Sequence, residues 1–155
     1  MLLAKSKKLF SNLNMYAKFI LQTDQESDVL GGELKSLAQI DDGIRKLDGD
    51  RFCVLIIAEG PATSEQSAMW SGKCLDVSGG ENDLYYCEIY DQSNDVYLVP
   101  FNKFTRDADV AVQIKRGELT EVRQGSLLDI DEAIKTAEAF AQTGEAWSGI
   151  EWHQQ

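Results

Sequence analysis

The chain has 155 residues, 43 % of them hydrophobic, and carries a formal net charge of −11. That length fits one domain, here residues 1–155, able to bury roughly two-thirds of the surface its unfolded form exposes, and the composition supports a core rather than wholesale disorder. No apolar run approaches the ~20 residues of a membrane span, and the stretch after Lys5, Lys7 and Lys8 is too broken by Ser11, Asn12, Asn14 and Lys18 for a signal peptide, so a cytosolic protein is expected.

The charge is unevenly spread. Residues 1–23 hold four lysines and no acid, whereas residues 24–155 hold 11 basic and 26 acidic side chains, a net −15. Such a body repels nucleic acid and is drawn to basic partners. The basic residues beyond position 24 are dispersed, and Arg45-Lys46 and Lys115-Arg116 are the only adjacent pairs, so the patch needed for phosphate contacts is missing.

In chain order, Leu2 to Leu13 suits a short helix and Met15 to Gln22 a first strand rich in aromatic and branched residues. Thr23 to Gly32 is polar, acidic and ends in Gly31-Gly32, which reads as a loop. Leu37, Ile40, Ile44 and Leu47 recur at helical spacing within Lys35 to Leu47, with Gly49 as a stop. Phe52 to Ala58 is a continuous apolar run, too short for a typical helix and β-branched, and reads as a central strand buried on both faces. Trp70 to Val77 reads as the next strand, closed by a turn at Ser78-Gly79-Gly80.

Leu84 to Tyr90 and Val96 to Phe101 flank the turn formers Asp91 to Asp95 and make the clearest hairpin. Val110 to Ile114 and Leu119 to Val122 form a weaker pair around Gly117. Asp129 or Asp131 then caps a helix running to about Thr143, with Ile130, Ile134, Ala137 and Phe140-Ala141 as its apolar stripe and Gly144 as its stop. Strands run together rather than alternating with helices, so the fold class is α+β: a single antiparallel sheet with two main helices packed on one face. The other face is expected to stay partly solvated.

Catalytic groupings are missing from the sequence. His153 is the sole histidine, and it sits near the end of the chain, a poor place to build a triad or a Cys–His dyad. Cys53, Cys74 and Cys87 match no zinc spacing and read as buried reduced thiols. No phosphate-binding glycine loop or calcium loop is present. No catalytic residue, metal or cofactor is therefore expected, and the chain does not read as an enzyme.

One constellation does carry a resemblance. Ile130-Asp131-Glu132-Ala133-Ile134 and Phe140 are followed by Thr143-Gly144 and, eight residues after that glycine, by Trp152. This pattern, with the helix at Leu37 to Leu47 leading into Phe52 to Ala58 and Pro100 after a later strand, resembles the Imm1 family of immunity proteins that accompany bacterial polymorphic toxins. The likeness covers about residues 36–152, with Phe140, Gly144 and Trp152 as its structural signature. Glu145-Ala146-Trp147 stands where that family carries a proline near the terminal turn, and Phe101 to Gly125 reads as an insertion. The resemblance implies a cytoplasmic protein that neutralises a cognate toxin, a nucleic-acid deaminase or nuclease, as a protein partner and without membrane or nucleic-acid binding.

The acidic charge fits that role independently, because a toxin that holds a polyanion needs a basic cleft. The interface candidates are Glu81, Asp83, Asp91 and Asp95 around the hairpin, with Tyr86, Glu88 and Tyr90 aligned on one strand face by side-chain alternation. Trp152 reads instead as a residue pinning the C-terminal segment to the sheet. A monomer is expected. An acidic adaptor for another basic protein, or a small ligand-binding α+β domain, remains open as an alternative.

Overall fold

The computed structural model describes residues 15–21, 27–60 and 72–155. Seven strands, β1 (Tyr16–Leu21), β2 (Ser27–Glu33), β3 (Phe52–Ala58), β4 (Lys73–Gly79), β5 (Tyr85–Asp91), β6 (Val96–Pro100) and β9 (Trp152–Gln154), form one antiparallel sheet in the order β2-β1-β3-β4-β5-β6-β9. Helices α1 (Leu37–Lys46) and α2 (Ile130–Thr143) and a separate hairpin of β7 (Ala111–Lys115) and β8 (Leu119–Arg123) complete it. The helix read at Leu2 to Leu13 and the start of the strand read at Trp70 lie outside the described residues.

Both helices cover one face. Leu55 and Ile57 of β3, Leu75 and Val77 of β4, and Cys87 and Ile89 of β5 point into the same core as Ile40 and Ile44 of α1 and Ala133, Ala137 and Phe140 of α2. Strand alternation makes this possible, since every second residue of a strand faces the same way. In β3 the register shifts between the pairs Ile20↔Val54 and Leu21↔Phe52, so Cys53 is an extra residue. This bulge returns Phe52 to the helix side, where its ring meets Phe19 edge-on at 5.2 Å.

The chain from Ser27 to Gly32 is strand rather than loop. β2 pairs with β1 at Tyr16↔Glu33, Ala17↔Gly32 and Phe19↔Ser27, with a register shift between the last two pairs. An edge strand has a single pairing partner and little need of apolar side chains, so its polar, glycine-containing sequence carries no strand signal.

Local chemistry sets the limits of α2. The Asp129 carboxylate accepts from the Glu132 N–H at 2.8 Å, and the Glu132 carboxylate accepts from the Asp129 N–H at 3.1 Å, a reciprocal cap. At the other end Gly144 takes φ +73°, and its N–H donates to the Phe140 carbonyl at 2.7 Å. Asp129→Ala should therefore cost about 1 kcal/mol in urea unfolding, whereas Asp131→Ala, which leaves the cap intact, should change stability by no more than about 0.5 kcal/mol. Equal losses from the two variants would assign the cap wrongly.

The β7–β8 hairpin packs on the face opposite the helices, where Ile114 and Val122 bury Tyr86 and Val99. Its turn is tied to the sheet's end. The Gly117 N–H donates to the Gly49 carbonyl at 2.8 Å, and Lys115 meets Asp50 at 3.3 Å. Gly117 has φ +86°, and a Cβ there would stand 2.9 Å from the Cys53 sulfur, so glycine suits both the turn and the close approach. The C-terminal segment closes the sheet as β9, where the half-buried Trp152 donates its indole N–H to the Trp147 carbonyl at 2.9 Å.

Candidate functional site

The face that the helices do not cover carries the unusual chemistry. Alternation puts Cys74, Asp76 and Ser78 of β4 beside Tyr90, Glu88 and Tyr86 of β5, in the register Cys74↔Tyr90, Asp76↔Glu88 and Ser78↔Tyr86. On the other side of β4, Ile56 of β3 pairs with Asp76. Asp76 is thus flanked by an apolar side chain and a second carboxylate. Like charges directly opposite in a sheet repel, and partial burial strengthens the repulsion.

Burial, then the Glu88 charge, push the Asp76 carboxyl up to about 6, against a pull down from Arg116. Burial also raises Glu88, and Arg116 again opposes it. Arg116 comes from the β7–β8 turn and lies over the Tyr86 ring at 5.5 Å from its centre. Its Nε is buried without a hydrogen-bond partner. Two half-buried carboxylates therefore share one guanidinium that is itself incompletely satisfied.

Tyrosines border this acidic pair. Tyr90 and Tyr97 stack with centres 4.4 Å apart and planes 21° from parallel, and the Tyr90 hydroxyl donates to Asp95 at 3.2 Å. Tyr97 is exposed, so the stack forms the outer wall of the site. Tyr86 lies beneath the hairpin at 6 % exposure, which makes it a floor residue rather than a contact surface.

The four acids expected to line one rim are split between two places. Glu81 and Asp83 occupy the short 3-10 turn between β4 and β5, while Asp91 and Asp95 sit at the turn between β5 and β6. The seven residues of β5 separate the pairs by about 20 Å. Asp91 is also occupied: its carboxylate accepts from the Ser93 N–H at 3.1 Å and the Asn94 side chain at 2.8 Å, and the Asn94 bond leads the causes that lower its pKa. Glu88 and Tyr90 do share a face, and Asp95 joins them through Tyr90. Phe140 is fully buried, Gly144 ends α2 and Trp152 packs at the sheet's margin, all of them structural positions.

Asp76 and Arg116 complete the site, and neither was singled out from the sequence. The signal for Asp76 was a lone acid within the apolar alternation Leu75-Asp76-Val77; Arg116 left none. The thiols do not contribute reactivity. All three cysteines are free, and burial pushes Cys74 up to about 12 and raises Cys53 and Cys87 as well, holding each in the un-nucleophilic protonated form. Among the described residues no group of three His, Cys, Asp or Glu side chains is placed to hold a metal ion, and no helix is long and apolar enough to cross a membrane. No protein-family model matches the chain, and a search of curated proteins returns no significant match.

Proposed function

We propose that this protein is an immunity factor of a bacterial toxin system, acting in the cytosol of the producing cell by binding a cognate toxin. The observation that carries the reading is the Asp76–Glu88 pair, whose two carboxyl pKa values are raised by burial and which face one cation, Arg116, among the described residues. Among the described residues, one guanidinium stands against these two carboxylates. A lysine or arginine of the partner, entering beside the Tyr90–Tyr97 stack, would supply a second cation and relieve the repulsion.

A nucleic-acid deaminase or nuclease offers such residues in the cleft that holds its polyanionic substrate. Binding there would compete with substrate directly. The −15 charge of residues 24–155 would speed the encounter, with Glu81 and Asp83 contributing to steering more than to the final contact. The likeness of the C-terminal helix, glycine and tryptophan to immunity proteins supports the same reading.

The test is protection of cells that express the C-terminal domain of a toxin encoded immediately upstream. The double variant Asp76→Asn, Glu88→Gln should lose protection and bind that domain roughly 100-fold more weakly. Glu81→Lys with Asp83→Lys should change the association rate and its salt dependence while leaving dissociation nearly unaltered. Full protection by the double neutral variant would remove the sheet face from the mechanism.

A further inference from the structure

The most exposed large apolar side chain among the described residues is Phe104, at 85 %. It sits in the connection between β6 and β7, far in character from the acidic sheet face. The loop is not slack. The Phe104 N–H donates to the Asn102 side chain at 3.0 Å, Thr105 N–H to the Asn102 carbonyl at 3.1 Å, and Val110 N–H to the Asp107 carbonyl at 2.9 Å. Its base is stitched to the chain after β8, with Asn102 N–H donating to Gly125 at 2.8 Å and Gly125 N–H to Ala108 at 2.9 Å. A ring held out by a hydrogen-bonded loop has already lost much of the freedom that binding would otherwise remove.

Two cations neighbour Phe104 in the chain. Lys103 Nζ stands 5.2 Å from the ring's centre, and the Arg106 side chain is 96 % exposed, with only a 3.9 Å contact to Asp107. The tip from Lys103 to Arg106 is locally basic on a strongly acidic protein, while Asp107 and Asp109 bring the loop as a whole to neutrality. Directly beside it lies a cleft of about 340 Å³, whose lining includes Asn102 and Thr105 from the same loop, the apolar Leu127 and Ile150, and the carboxylates Glu132 and Glu151. The cleft is open and more polar than apolar, and its volume is ample for a phenylalanine ring, with Leu127 and Ile150 as its apolar contacts.

We propose that two copies of this chain associate about a two-fold axis through this patch, the Phe104 of each seated in the cleft of the other. Lys103 and Arg106 of one copy then face Glu132 and Glu151 of its mate. A second copy is the occupant because both halves of the contact lie on one chain: a basic aromatic tip, and beside it a cleft with two carboxylates to which the tip's own loop contributes Asn102 and Thr105. Such a self-complementary patch is what a two-fold interface requires. The proposed dimer departs from the monomer expected from the sequence.

Sedimentation equilibrium and light scattering over a concentration series into the high micromolar range test this. The wild-type chain should approach twice its 17.3 kDa mass. Phe104→Ala, at a position too exposed to unfold the protein, should weaken the dimer by roughly 30-fold. Lys103→Glu with Arg106→Glu should dissociate it, and adding Glu151→Lys to the same chain should bring the dimer back. A wild-type chain that stays monomeric at the highest concentration, a Phe104→Ala dimer as tight as wild type, or growth beyond two copies would each overturn the proposal.

Discussion

Asp76→Asn is expected to make the protein more stable at pH 7, by about 1–3 kcal/mol, and on the proposed reading to weaken toxin binding at the sheet face. The sign follows from the direction of the shift. In the fold the carboxyl titrates near 6, above its ordinary 3.8, so the folded state holds its proton more tightly than the unfolded chain. Stability therefore falls as pH rises between those values, and the full penalty is present above about 6. Asparagine removes it. The advantage of the variant in urea unfolding should be greatest at neutral pH and shrink as pH falls through 6 towards 3.8. A variant less stable than wild type at pH 7 would mean that the Asp76 carboxylate is well satisfied in the fold and is no receptor for a partner's cation. Residues that cost stability yet remain in place are often those that function requires.

Phe140→Ala should act in the opposite direction and more strongly, lowering the unfolding free energy by about 3–5 kcal/mol. Phe140 is fully buried where α2 meets the sheet, among Ala133, Ala137 and the apolar side chains of β3 to β5. Small alanines surround it on its own helix, so they cannot close over the space the ring vacates. For a domain whose total stability is about 5–15 kcal/mol, such a loss takes a large share, and the urea midpoint should drop accordingly. A loss below about 1 kcal/mol would mean that α2 is not seated through this ring.

Where the chain's own chemistry sets a boundary, the boundary was legible in the sequence. The run Phe52–Ala58 is apolar because both faces of β3 are buried, and α2 begins at the Asp129 cap and ends at Gly144 because those side chains serve the helix ends. What escaped the sequence was set by partners. β2 is a strand because β1 lies beside it, not because its residues favour one. The turn after β4 was placed at Ser78 to Gly80, whereas β4 continues to Gly79 and the turn is built by Glu81–Asp83. Asn82 and Asp83 take φ of 59° and 56° there. Closing one strand at Val77 and opening the next at Leu84 would set Asp76 opposite Tyr85, which hides its true neighbour Glu88.

The same displacement explains the candidate site. Glu88 and Tyr90 were found because alternation along one strand needs no knowledge of its neighbours. The acids at the two turns looked like one group because they bracket one hairpin in sequence, and a strand's length then set them apart. Arg116 reaches the site only because a second hairpin folds back across the sheet, a tertiary event that leaves no local trace.

The acidic pair rides on β4 and β5, and β4 has three strands on either side of it in the sheet. Edge strands can fray while central ones stay paired, so local opening should leave Asp76 and Glu88 in place. With the strands held in place, the repulsion that Arg116 leaves is relieved by a proton or by an incoming cation. On the proposed reading, a partner would meet a surface already arranged, with tightness set by charge and fit rather than by the cost of ordering the chain.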